Sequence, residues 1–445
     1  MTFKKSLGAL ALCILISSQA PAQSAPDTAA LKGLAPVTVL LNTDAGKAAL
    51  GANYTVTGGI QTGAIAQPTL LPFPEQQQQA LRDAFISDSN LAQLADGLGT
   101  TLGSAYLARF HYIDQKQTSR LPQSIGNLIS YATAVSGSRS NAGKYLFANE
   151  TTDGKTPVSL DEGAILKEIG GVEDIFGKAY HLPAGTAGAD AYGDSRPFQT
   201  EPSVTRFVGL DYLNNPSDNF VYNHGPVMNL TNSPSYPSGH TTYGYTGAVL
   251  LAVLVPERYA QMIARGAEYG NDRVIMGSHY VMDVMGGRTL ALYDMAHLLA
   301  NDPAYMDLSI REAPPIKDFQ SAVKSARAEL IAILQSGCGN TIEACAQEDI
   351  GRFSNAAADE AFYDATQTYS LSVVYPKNAG MLEDVAKIAP EAGYLLTQAF
   401  PSLSLAQADK ILTETEGPGG GFLDNGSEFG VYSRLNLYAA ARRAE

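Results

Sequence analysis

The sequence predicts a mainly α-helical protein, a helical bundle joined by long loops. Apolar residues recur at three- and four-residue spacing over long stretches, strand-like alternation is scarce, and prolines close or open the helical runs. The first segment is a targeting signal: Lys4 and Lys5, an apolar run from Leu7 to Ile16, then Ala20-Pro21-Ala22 in the small-x-small pattern of a cleavage site. Residues 1–22 are therefore expected to be removed, which places the mature chain in the periplasm or outside the cell. Residues 23–75 are rich in Ala, Gly, Thr and Pro and read as an irregular N-terminal segment. From about Pro74 a helical pattern runs through Leu81, Phe85, Leu91, Leu94 and Leu98, and Leu102, Tyr106 and Phe110 continue it.

Residues 181–237 form a Pro- and Gly-rich stretch, long enough to be expected to carry function. Helices are then expected from about Thr241 to Val255, from Pro256 through Tyr259, Met262, Ile263 and Ala267, and through Tyr280, Val284, Leu290 and Met295. Residues 76–310 are assigned to one helical core and 311–445 to a helical extension packed on it. Gly417 to Gly421 lacks the Lys-Ser/Thr of a phosphate loop and reads as a turn. The longest later apolar stretch, Ala248 to Val255, is too short to span a bilayer, so no integral membrane segment is expected after processing.

The 445 residues hold 45% hydrophobic and 17% charged residues, the composition of a folded globular chain. A formal charge of −14 argues against nucleic acid and against anionic membrane surfaces as partners. Once the signal is removed, Cys338 and Cys345 are the remaining cysteines. In an oxidising compartment they are expected to form a disulfide, and they are too few for a zinc site.

Four segments carry chemistry together: Asp194-Ser195-Arg196-Pro197-Phe198, Pro234 to Thr241, Arg273 to His279, and Asp283. Arginine forks such as Arg196 and Arg273 suit a tetrahedral oxyanion. Ser238 and Gly239 precede a predicted helix, whose first N–H groups and positive dipole end attract an anion. His279 and Asp283, four apart, are expected on one helical face, the carboxylate orienting a nucleophilic imidazole. His240 is left for the acid role. A single Arg-Pro or His-x3-Asp is commonplace; the ordered set is specific. Tyr236, Tyr243 and Tyr245 are candidates for lining a pocket that takes an aromatic leaving group, with core or rim as the commoner reading.

These segments resemble the phosphatidic-acid-phosphatase type 2 (PAP2) superfamily, which also holds the vanadium haloperoxidases. The pattern is Lys-x6-Arg-Pro, Pro-Ser-Gly-His and Ser-Arg-x5-His-x3-Asp. Within it, Pro234 to Thr241, Pro256-Glu257-Arg258, Arg265-Gly266 and Gly270 to Ile275 are similar to the bacterial class A nonspecific acid phosphatases. The likeness covers roughly residues 190–310. It implies a helical bundle of the PAP2/haloperoxidase type and hydrolysis of small phosphate monoesters through a phosphohistidine, without metal or other cofactor. His279 would be the nucleophile, Asp283 its orienter and His240 the general acid. Arg196, Arg273, Ser238 and Gly239 would hold the phosphate, and vanadate would inhibit.

Two positions depart from the pattern. Ala189 stands where the family has lysine, with Lys178 or Arg206 as possible substitutes, and Asp272 replaces the serine before Arg273. The departure at Ala189 keeps two alternatives open: a haloperoxidase-like enzyme with vanadate as cofactor, and an inactive phosphate-binding protein. A metal hydrolase using His240, His279 and Asp283 is disfavoured by the adjacent arginines, and a serine hydrolase by the lack of Gly-x-Ser-x-Gly.

Overall fold

The computed structural model describes residues 28–65, 69–87, 91–114, 117–147, 194–225, 227–231 and 233–445. The signal segment 1–22, Ala189 and Lys178 lie outside them. The described chain is mainly helical, and among its residues no helix is long and apolar enough to cross a membrane. Among the described residues, one short antiparallel hairpin, Val208–Leu210 with Pro216–Asp218, is the sheet content beyond isolated bridges.

Three helices at the centre are buried along almost their whole length, α6 (Gly239–Leu254), α7 (Tyr259–Ile275) and α8 (Val281–Leu299). Apolar and small residues dominate α6, as suits a helix with no solvent face, while α7 and α8 also bury charged side chains such as Arg265 and Arg288. α7 is entered through a 3-10 turn at Pro256–Arg258. α6 packs on α7, α8 and α5 (Gln123–Phe147). Gly287 lets α8 approach the start of α6 closely, since a Cβ there would stand 2.4 Å from the Ser238 carbonyl oxygen.

The N-terminal segment is helical rather than irregular from residue 28 onward. α1 (Thr28–Leu34) leads into a 3-10 turn at Ala35–Asn42 and then α2 (Asp44–Thr62). The Thr43 side chain accepts from Gly46 N and starts α2; Gly63, at φ +71°, ends it. Its buried face mixes polar Asn53, Thr57 and Gln61 with apolar Ala49, Leu50, Val56 and Ile60. The polar residues interrupt the apolar stripe, which is why apolar periodicity does not reveal the helix.

The periodic run from Pro74 to Phe110 is broken into α3 (Phe73–Asp83), a 3-10 turn at Ala92–Leu98 and α4 (Thr100–Leu107). The break brings two acids onto one buried arginine of α7. Arg265 donates to both Asp83 oxygens at 2.7 Å and also bonds Asp96. Arg352 from the C-terminal extension bridges the same cluster, bonding Glu268 at 2.8 Å and Asp96 at 2.7 Å.

Within the extension, α9 (Phe319–Cys338) packs on α4 and α5, while α10 (Ala356–Thr368) and the last helix (Leu437–Ala444) pack on α7. A continuous hydrophobic cluster runs from Ala30 to Ala441, so this extension shares the core. Cys338 and Cys345 are joined by a disulfide at the end of α9. Gly417 to Gly421 form no helix or strand.

Arg265→Met removes the only guanidinium that bonds Asp83 in this cluster. Leaving a buried charge unpaired costs about 3–5 kcal/mol. Urea unfolding of the variant is expected to show that loss; a change under about 1 kcal/mol would mean the network is worth no more than a surface pair.

Candidate active site

The site is built where α8 begins. A helix start leaves its first N–H groups without intrahelical partners. Here Tyr280 N donates to Asp283 Oδ2 at 2.8 Å, Val281 N to Thr57 Oγ1 at 3.1 Å and Met282 N to Asn53 Oδ1 at 3.0 Å. Asp283 is thus the third residue of the helix, and His279 sits just ahead of it. The two are not stacked on one helical face as their spacing suggested; the aspartate caps the helix and the histidine projects from the preceding turn.

Asp283 Oδ2 also accepts from Ser235 Oγ, and faces His279 Nδ1 at 3.3 Å. Ser235 Oγ lies 3.3 Å from the same ring nitrogen. On the other side of the ring, Arg196 Nη1 stands 3.0 Å from His279 Nε2. An always-charged guanidinium can only donate, so Nε2 is the unprotonated nitrogen and Nδ1 carries the proton toward the carboxylate. The lone pair is therefore on Nε2, where it accepts from Arg196 and, at 3.4 Å, faces His240 Nδ1. His240 Nε2 is covered by the Met228 sulfur at 3.0 Å.

Arg196 is fully buried. Its remaining donors are fixed by the carbonyl oxygens of Ser278 at 2.9 Å, Ser233 at 2.8 Å and Pro234 at 3.2 Å. Arg273 is buried too. Its Nη2 donates to Ser278 Oγ at 3.0 Å, Ser278 donates to Asn223 Oδ1 at 2.6 Å, and its Nε has no hydrogen-bond partner. Ser238 Oγ caps α6, accepting from Thr241 N at 3.1 Å. That leaves the first two helix N–H groups, of Gly239 and His240, for an anion rather than the serine hydroxyl.

Sequence reasoning missed a third cation, Lys144, at the end of α5. It is buried, and a Cβ on Gly239 would stand 3.3 Å from its Nζ. Glycine at 239 thus makes room for the lysine beside the helix start. A fixed spacing before Arg196 cannot find it, because Lys144 lies much farther upstream. The available signal was a lysine in phase with the small buried residues Ser136 and Ser140 of one helix. Arg206, by contrast, pairs with Asp218 and its side chain is 64% exposed, so it stays at the hairpin. Asp272 points away from the cradle, accepting from Gln76 Nε2 at 2.8 Å; burial, reinforced by Asp83 and Glu268, pushes its carboxyl well above the usual carboxylate range. Tyr236 and Tyr245 are core residues, and Tyr243 flanks the His240 ring at 5.5 Å.

The electrostatics follow from burying three cations together. Burial, then Arg273, Arg196 and Lys144, push His240 well below its ordinary value. Burial and then Arg196 do the same to His279. Burial, with Arg196 and Arg273 nearby, lowers Lys144 to about 7. Burial lifts Asp283 to about 6. Such a basin stabilises an anion far more than an isolated cation would.

Residues 189–300 match the model of the PAP2 superfamily. The chain is 35% identical over 92 residues to an acid phosphatase of Zymomonas mobilis, covering 21% of this chain and 33% of that protein. It is 44% identical over 69 residues to a non-specific acid phosphatase of Salmonella typhimurium, covering 16% and 28%. A non-specific acid phosphatase of Providencia stuartii is 40% identical over 72 residues, covering 16% and 29%. The chain spans about a third or less of the length of these curated relatives. The matched stretch holds Arg196, His240, Arg273, His279 and Asp283; Lys144 lies before it.

Lys144→Met should weaken binding of inorganic sulfate, a dianion across the whole working range. Calorimetry at about pH 6, where Lys144 is charged, is expected to show roughly tenfold weaker binding, or about 1.4 kcal/mol. Lys144 loses its proton as pH rises through about 7, so the gap between wild type and variant should narrow by about pH 8.5. A gap independent of pH would remove Lys144 from the cradle.

Proposed function

We propose that this protein is a phosphomonoesterase of the acid phosphatase kind, acting through a phosphohistidine on His279 without a catalytic metal. One observation carries the reading: the lone pair of His279 Nε2 faces Arg196 and His240 in a pocket that buries three cations. The relatives named acid phosphatases point the same way.

Lys144, Arg196, Arg273 and the N–H groups of Gly239 and His240 would hold the phosphoryl oxygens. Burial, and then their positive field, lower the proton affinity of His279, which favours the neutral ring with its lone pair on Nε2. An incoming phosphate dianion offsets that field, and His240 gains a proton. His279 Nε2 then attacks phosphorus while the bond to the leaving oxygen breaks and His240 protonates that oxygen. Asp283 and Ser235 hold the imidazole and balance the charge it acquires. In the second half, His240 takes a proton from water, the water oxygen attacks phosphorus, and the P–N bond breaks to release phosphate. Vanadate, taking the five-coordinate geometry of that transition state, is expected to inhibit. With Lys144 in the cradle, Ala189 gives no reason to prefer haloperoxidase chemistry or an inactive binder. The basic start and cleavage pattern of residues 1–22 support a periplasmic or secreted location.

Hydrolysis of p-nitrophenyl phosphate is the test. Wild type should turn over in EDTA, and His279→Ala should lose roughly 10³-fold or more in kcat while still binding sulfate. Loss of wild-type turnover in EDTA within minutes, or a variant as active as wild type, would contradict the mechanism.

A further inference from the structure

His297 lies in the last turn of α8, roughly 20 Å along the helix from Asp283. Its Nδ1 is 2.7 Å from Asp302 Oδ2. A carboxylate accepts, so the ring proton is on Nδ1 and the neutral ring presents its lone pair at Nε2. That nitrogen is buried and has no hydrogen-bond partner. Facing it are two carboxylate oxygens, Glu391 Oε1 and Glu428 Oε1, each at 3.8 Å. The three atoms lie within 4.8 Å of one another.

A lone pair aimed at two carboxylates is repulsive. A proton on Nε2 would remove the repulsion, yet 3.8 Å is too long for either hydrogen bond to form. A single divalent ion fits better: ligands bound at about 2.0–2.2 Å stand roughly 3–4 Å apart. The surroundings are those of a metal-bound histidine. Asp302 fixes the tautomer, as an outer carboxylate does for a ligating imidazole, and the Tyr305 ring stacks on His297 at 4.9 Å and 9°. Tyr432 OH donates to Glu391 Oε1 and aims that carboxylate.

We propose that His297, Glu391 and Glu428 bind a structural zinc ion, with water completing a tetrahedron on the half-exposed Glu428 side. One nitrogen and two carboxylate oxygens suit Zn²⁺; Mg²⁺ and Ca²⁺ prefer oxygen alone. Glu391 lies in the turn Pro390–Gly393 and Glu428 opens the helix Glu428–Tyr432. The ion would therefore clamp two parts of the C-terminal extension to the core helix that begins at the candidate active site. The assignment is independent of the phosphatase reading.

The test uses the full chain, stripped with chelator, desalted and titrated with ZnCl₂ at neutral pH by calorimetry, with thermal unfolding alongside. The expected result is one saturable event per chain with micromolar or tighter Kd, and a higher Tm with zinc. Glu428→Gln should bind zinc about tenfold weaker or worse while keeping its circular dichroism. His297→Gln should abolish the event. Absence of saturable binding to wild type would overturn the proposal. So would zinc affinity unchanged in Glu428→Gln.

Discussion

Everything at the candidate active site hangs on one carboxylate oxygen. Asp283 Oδ2 takes the Tyr280 N–H, the Ser235 hydroxyl and the His279 ring at once. Those donors come from the start of α8, from the loop before α6 and from the turn after α7. Fixing the oxygen therefore fixes three chain segments relative to one another and sets the imidazole tautomer. The Ser238 N–H donates to the Asp283 carbonyl at 3.0 Å, so the two helix starts are tied through backbone as well as side chain. α2 completes the support by capping the next two N–H groups of α8. The polar residues of its buried face have this role beside the apolar packing of Leu50, Val56 and Ile60.

Around that anchor the protein buries Lys144, Arg196 and Arg273 within a chain whose formal charge is −14. Burial near like charges is unfavourable, and the cost appears as lowered proton affinity of Lys144, His240 and His279. An oxyanion offsets it. The local field thus outweighs the global one: nearby buried groups act through a low dielectric, while distant surface acids are screened. Unsatisfied polar atoms at the site are consistent with this. The donor Arg273 Nε and the acceptor Asp283 Oδ1 are both buried without hydrogen-bond partners.

Much of this was legible in the sequence, because it resides in short ordered motifs. Arg196, the Ser238-Gly239-His240 turn, Arg273, His279 and Asp283 converge in space as their order implied, and the central helices begin and end near the prolines that marked them. What escaped depends on contacts that no local pattern carries. Lys144 reaches the cradle from a helix far upstream, through the gap left by Gly239. Asn53 and Thr57 serve as caps for a helix more than two hundred residues away, in a segment whose composition looked irregular. The spacing of His279 and Asp283 was read with helical geometry, although the helix starts between them. The sequence could suggest that Asp272 turns aside, but its hydrogen bond to Gln76 belongs to the tertiary fold.

Trapping the covalent intermediate decides whether His279 is the nucleophile. A labelled phosphate ester is mixed with the protein, quenched in base within the first turnover, digested and mapped. Phosphate should be found on the peptide holding His279, stable in alkali and lost in acid, and it should vanish in His279→Ala. Label on Ser235 or Ser238, or turnover with no protein-bound phosphate at any time, would contradict the proposed role.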